Sequence, residues 1–293
     1  MALLCFGSVP VFLKYFTTLL DAWTVNAVRY AVGATFWLPL VLHSQRTNPA
    51  NRGIWRAALG PAAANTTSQV GFALSPYYVD AGIMGFLLEM SFLFTIVIGF
   101  LLLRDERRLA RHPLFWSGSL SLIAGVMAIY LGGWGHSAIS AIGMVVLLIT
   151  TACGGAYLVL IRTSMQQYPV QLSFGVVSIY TAITLLVLMA LFGDWGQLAV
   201  LAGRDWGWLV LSAILGIAFA HVLLYQMIRS LGPIVSAGGI CLVPLVTAAG
   251  AYGILGEMMT PLQWTGGTIM LLGCFCLVFA KMHVDLPSGS DNR

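Results

Sequence analysis

Glu89 is the only charged residue between Asp80 and Arg104, and it stands in the run Gly85-Phe86-Leu87-Leu88-Glu89-Met90-Ser91. If that run crosses a bilayer, a charge near its centre costs about 2.5–3.5 kcal/mol on insertion scales. The carboxyl must then face protein or water, or carry a proton. Two chemistries suit it: pairing with a substrate ammonium, or exchanging a proton. A neutral carboxyl hydrogen-bonded between helices is the structural alternative. Asn65-Thr66-Thr67-Ser68-Gln69 is a second polar island within an apolar segment. Asn65 and Gln69 share a helix face at four-residue spacing and could hydrogen-bond a substrate, whereas Thr and Ser can satisfy themselves on their own backbone. His221, with Tyr225 one turn on, could relay protons, line a cavity or tie helices together. Tyr157 is a candidate aromatic wall, with packing as its other reading; Tyr78, Trp206 and Trp208 fit interface anchors better. Lys14 and Arg29 suit snorkelling side chains, or partners for Asp21 or for a substrate carboxylate. Pro10 and Pro244 remove helix hydrogen bonds and so permit bends, either static or acting as gates.

Elements that place such residues in lipid are dictated by composition. Only 8% of the 293 residues are charged and 59% are hydrophobic, against roughly 25% charged in a soluble domain; the mean hydropathy is +0.90. Apolar stretches near the length of a membrane span predict helices over 2–20, 22–43, 54–74, 78–102, 113–132, 138–163, 170–192, 206–229, 233–255 and 261–282. The run beginning at Ala2 lacks a charged leader and an Ala-x-Ala cleavage site, so it is read as the first span.

The two halves repeat one another. Pro113-Leu114-Phe115-Trp116-Ser117-Gly118 and Gly125 recur as Pro261-Leu262-Gln263-Trp264-Thr265-Gly266 and Gly273, and Cys5-x-Gly7, Val11 and Lys14 recur at the same shift as Cys153-x-Gly155, Val159 and Arg162. Five spans per copy insert the second copy upside down. The expected fold is therefore an all-α integral membrane protein of ten transmembrane helices, two inverted five-helix repeats around a central cavity, the arrangement of alternating-access carriers. Residues 1–135 form the first repeat and 136–283 the second, with 284–293 as a cytoplasmic tail. The junction is read as a short external loop over Gly132–His136. Cationic residues set the orientation: Arg46, Arg52, Arg56, Arg104, Arg107, Arg108, Arg111, Arg162, Arg229, Lys281 and Arg293 fall on one side, with Lys14 and Arg204 opposite. Both termini are thereby placed in the cytoplasm, at the cell (inner) membrane. Small-residue stripes, Ser117, Ser121, Gly125 and Ser212, Gly216, Ala220, are read as helix-packing faces.

Other functions lack their motifs. No Gly-x-Ser-x-Gly, His-Glu-x-x-His or phosphate-binding Gly-x-x-x-x-Gly-Lys-Ser/Thr occurs, so an enzyme or a direct ATPase is not expected. Neither a metal nor a cofactor is expected, because the histidines are isolated and the five cysteines read as buried hydrophobes. The net charge of +4 is dispersed in short links, unlike a nucleic-acid groove. A channel would show charged rings or a filter. The expected partners are the lipid bilayer and a small-molecule substrate, with proton coupling and facilitated diffusion both open.

Pro244, Gly256-Glu257, Pro261 and Gly266, echoed by Asp105-Glu106-Arg107, Pro113 and Gly118, together with Phe6-Gly7-Ser8 and Arg29-Tyr30, resemble the drug/metabolite transporter superfamily and its EamA-like ten-helix exporters over residues 1–282. The chain is most similar to the YddG-type exporters of amino acids, aromatic ones included. That resemblance implies a basket of helices moving small metabolites outward, with Glu89, Asn65, Gln69, His221 and Tyr157 as candidate cavity residues. Nucleotide sugars, lipophilic cationic drugs and other metabolites are the competing cargoes. Leu93 stands where the second half has Pro244, which predicts a straighter fourth helix than ninth.

Overall fold

The computed structural model describes residues 1–133 and 140–285. The expected repeat boundary at 135/136, Trp134 and His136 of the junction, and the tail from 286 lie outside the described residues. The principal helices are α1 (Ala2–Phe16), α2 (Ala22–Thr47), α3 (Leu59–Leu74), α4 (Ala81–Leu102), α5 (Pro113–Gly132), α6 (Ala141–Ser164), α7 (Val170–Phe192), α8 (Gly203–Leu231), α9 (Val243–Leu255) and α10 (Pro261–Val284). A short helix, Pro233–Gly239, leads into α9. No strand occurs among the described residues. Seven helices (α2, α4, α5, α6, α7, α8 and α10) are long and apolar enough to cross a membrane, and α1 and α9 are shorter apolar helices.

Local sequence sets the ends. Asp21 caps α2, its carboxylate accepting from the Trp23 and Thr24 N–H groups at 2.9 Å. Pro113 occupies the first turn of α5, where no N–H is needed. Ser140 caps α6 through the Gly143 N–H. Gly232 (φ 83°) ends α8 and Gly256 (φ 70°) ends α9 in conformations that side chains oppose.

The bundle carries its apolar residues outward and its polar ones inward. Leu101, Leu120, Ile142, Ile183 and Leu191 are exposed, while Arg29, Asn65, Glu89 and Gln263 are buried. Such a surface suits lipid and not water. Neighbours pair in a regular way: α5 packs on α10 and α2 on α7, while α6 packs on α3 and α4 much as α1 packs on α8 and α9. The α5–α10 seam is reciprocal. A Cβ built on Gly118 would stand 2.7 Å from the Gly273 carbonyl oxygen and one on Gly273 would stand 2.8 Å from that of Gly118; Gly125 and Gly266 meet at 2.6 and 2.7 Å. The two helices thus run antiparallel with backbones in contact, which only glycine permits.

The fourth helix, expected to be straighter than the ninth, carries an interruption of its own. In α4 the bonding tightens to i→i+3 around Glu89, with Glu89 N–H to Phe86 O, Ser91 N–H to Leu88 O and Phe92 N–H to Glu89 O, each 3.0 Å. Before α9, Ile240–Leu242 breaks the helix likewise, and Pro244 opens the next helical segment from its first turn. Pro244 is therefore not a helix-interior kink: a tightened turn interrupts either helix, and such a turn needs no proline. Pro10 does lie inside α1.

Candidate functional site

A cavity of about 160 Å³ lies between the two halves, and its walls come from α1, α2, α3, α4, α8, α9 and the turn that precedes α9. Glu89 reaches it from the tightened turn of α4, Gln69 from α3, His221 and Gly216 from α8, Pro10 from α1 and Arg29 from α2. Gly85 lets α4 approach α9 closely, since a Cβ there would meet the Thr247 Cβ at 2.9 Å. Thr247 in turn donates to the Gly7 carbonyl at 2.9 Å, fixing α9 against α1.

Each polar side chain is held differently. Glu89 is 6% exposed. Its carboxylate lies with the Cys241 and Cys274 sulfurs in a cluster whose ligand atoms are all within 4.8 Å of one another. Two thiols and a carboxylate form a donor set that a thiophilic divalent ion could use. Sequence spacing does not disclose it, because the donors come from three separate segments. His221 stacks on Phe174 (centroids 5.0 Å apart, 20° between planes) and meets the edge of Phe6 at 5.7 Å. Its Nδ1 lies 3.0 Å from the Gly216 carbonyl. A carbonyl only accepts, so Nδ1 carries the hydrogen and Nε2 of a neutral ring is an acceptor. The π-helical turn Ile214–Phe219 in α8 accounts for this five-residue reach and turns Gly216 inward.

Arg29 is 1% exposed. It donates from Nε to the Ser212 hydroxyl at 3.1 Å and from Nη2 to the Ser212 carbonyl at 3.4 Å, and Nη1 has no partner. The side chain does not snorkel to the bundle end. The Ser212/Gly216 stripe, expected to be a packing face, is its seat.

The sequence candidates thus divide. Glu89, Gln69, His221 and Pro10 meet at one cavity. Asn65 lies outside its lining and ties three helices, donating to the Tyr30 hydroxyl at 3.2 Å and the Thr181 hydroxyl at 3.0 Å. Tyr157 stands one layer back, with its hydroxyl donating to Tyr225 at 3.0 Å and its ring 6.4 Å from that of His221. Pro244 is not in the lining, although its neighbour Val243 is. Lys14 pairs with Asp80 at 3.1 Å and not with Asp21.

A model of the EamA-like transporter family matches residues 1–131 and 141–279. No curated protein matches the chain. A solved crystal structure of a protein superposes with a TM-score of 0.65 over 97% of this chain and 98% of that one, at 13% identity. At that identity the likeness concerns the fold alone.

Proposed function

This chain belongs to the EamA-like transporter family, and from that premise we propose that it exports amino acids, aromatic ones included, or similarly small metabolites from the cytoplasm by alternating access. The family makes it a membrane transporter of the drug/metabolite type. The observation that carries the finer reading is the cavity: about 160 Å³, drawn from both halves, with an acid, an imidazole, an amide and a guanidinium on its wall. Sites for drug-sized ligands span roughly 300–1,000 Å³, so a small metabolite is favoured over a bulky drug. A nucleotide sugar would need several cations for its phosphates, and Arg29 is the one cation in this lining.

Ten spans follow if α1, α3 and the Pro233–Leu255 region join the seven long helices. The reciprocal glycine contacts of α5 and α10 support a two-fold relation between inverted five-helix repeats. With both termini in the cytoplasm, Glu89 meets the substrate ammonium or trades it for a proton, and Asn65 and Tyr157 hold the wall from behind. The interruptions of α4 at Glu89 and before α9 at Ile240–Leu242 are the hinges, with Pro10 facing them from α1.

The test is uptake of a labelled amino-acid panel into liposomes holding the purified protein, with and without a pH gradient. Saturable uptake is expected, and Glu89→Gln should lower it at least tenfold or flatten its response to the gradient at an unchanged yield of folded protein. Identical kinetics and pH profile in that variant would remove Glu89 from the mechanism. No uptake of any amino acid by folded protein would overturn the substrate assignment.

A further inference from the structure

Arg29 poses a problem that the helices around it do not solve. Burying a charge is costly unless it is paired and hydrogen-bonded, yet only Ser212, a neutral residue, answers it, and Nη1 is left without a partner. No carboxylate pairs with Arg29 among the described residues: Asp21 is committed to the α2 cap, and Glu89, across the cavity, is clustered with Cys241 and Cys274. The cavity therefore carries one positive and one acidic group that do not neutralise each other.

The surroundings keep the guanidinium in place. Gly216 leaves room for two neighbours: a Cβ there would stand 2.4 Å from Val9 Cγ2 and 3.1 Å from the Arg29 Nη2. Ser212 binds Nε and Nη2 from one helix turn. A planar fork with one edge fixed leaves one buried nitrogen unpartnered beside the cavity, and an oxyanion is the group that such a fork binds. Because the site holds one guanidinium and faces an acid, a singly charged carboxylate suits it better than a phosphate.

We propose that Arg29 is the carboxylate-binding residue of the cavity, and that the transported molecule carries a carboxylate which completes the hydrogen bonding of its Nη1. Use of the cavity for transport rests on the function proposed above; the carboxylate requirement rests on Arg29 itself. A molecule with an ammonium as well would address Glu89 from its other end.

The experiment compares matched ligands on the purified full-length protein: amino acids, the same amino acids as amides, the corresponding acids lacking the amine, and inorganic phosphate. Uptake into liposomes and thermal stabilisation in detergent are both read. Amino acids are expected to exceed their amides at least tenfold in the unaltered protein. Arg29→Gln should bring the two near parity, and Arg29→Lys should restore part of the difference. The ligand comparison on unaltered protein decides the matter even if a variant fails to fold. Equal handling of amino acids and amides would overturn the role of Arg29 while leaving transport intact. Binding of amine-free acids without transport of any amino acid would uphold Arg29 and refute the amino-acid reading. Phosphate bound more tightly than any carboxylate, or no response to any carboxylate, would overturn the inference.

Discussion

Single residues decide whether a buried polar group is support or site, and Asp21 shows the supporting case. Burial pushes its carboxyl up, but bonds from the Thr24 hydroxyl and the Asp194, Thr24 and Trp23 N–H groups outweigh that and hold it below its ordinary 3.8. A depressed carboxyl contributes stability above its unfolded value and loses it as pH falls through the folded one. Asp21→Ala should therefore cost about 1–2 kcal/mol at neutral pH, at the upper end for a helix cap. The gap between variant and parent should hold from pH 7 to about pH 5 and close below about pH 4. Thermal melts in detergent across that range check this, and a gap independent of pH would contradict it. The same comparison explains how far the site was legible. Glu89 stood out because an acid in an apolar run has few harmless explanations. Arg29 stayed between two readings, since nothing in a linear sequence distinguishes a side chain that snorkels from one that docks on a serine 183 residues along the chain. Asn65 and Tyr157 were picked out as polar and deep, which they are, but the rotation of a helix about its axis decides whether such a group meets the cavity or the next helix.

For helices the governing quantity is backbone separation. The α5–α10 seam places glycines against carbonyls at under 3 Å from any added Cβ. Gly118→Ala or Gly125→Ala must part the helices, and about 1–3 kcal/mol of destabilisation is expected for overpacking. Gly207, exposed on α8 with nothing within 4 Å of its Cβ position, is the control: Gly207→Ala should stabilise by about 0.5–1 kcal/mol, since alanine is the better helix former. Unfolding midpoints of the three variants test the pair of claims, and equal midpoints would mean that the seam is looser than its geometry. The element order was readable from apolar length and from Pro, Gly and Asp at the ends. The interruption of α4 was not: it contains no proline, and the close approach of Gly85 to Thr247 beside it couples residues far apart in the chain. The π-helical turn of α8 is hidden for the same reason, since Ile214–Phe219 reads as ordinary apolar helix.

Across the whole molecule, the polar cross-links at one end of the bundle bear on how the cavity would be closed. At the end holding the α1–α2 turn, Lys14 binds Asp80 at 3.1 Å and the Pro76 and Val79 carbonyls at 3.0 and 3.3 Å. There Glu257 also accepts the Gly82 N–H at 3.1 Å, and Tyr15 donates to Asp205 at 2.7 Å. The last two contacts join the first half to the second. In the proposed orientation this end faces outside, so the set acts as an outer seal. The Lys14–Asp80 pair is partly exposed and lies within the first half, where such a pair is worth at most about 1 kcal/mol. Glu257 ties the second half to the first, so its loss should raise the open fraction by about tenfold for each 1.4 kcal/mol removed. Deuterium exchange on reconstituted protein reads that population. Glu257→Ala should speed exchange at 82–84, next to the lost bond, and also around Tyr15 and residues 204–206, which it never touches. Lys14→Met should give the same pattern more weakly. Faster exchange at 82–84 alone would mean that the contacts break one by one, and the outer end would then be a set of local ties with no gate for alternating access to use.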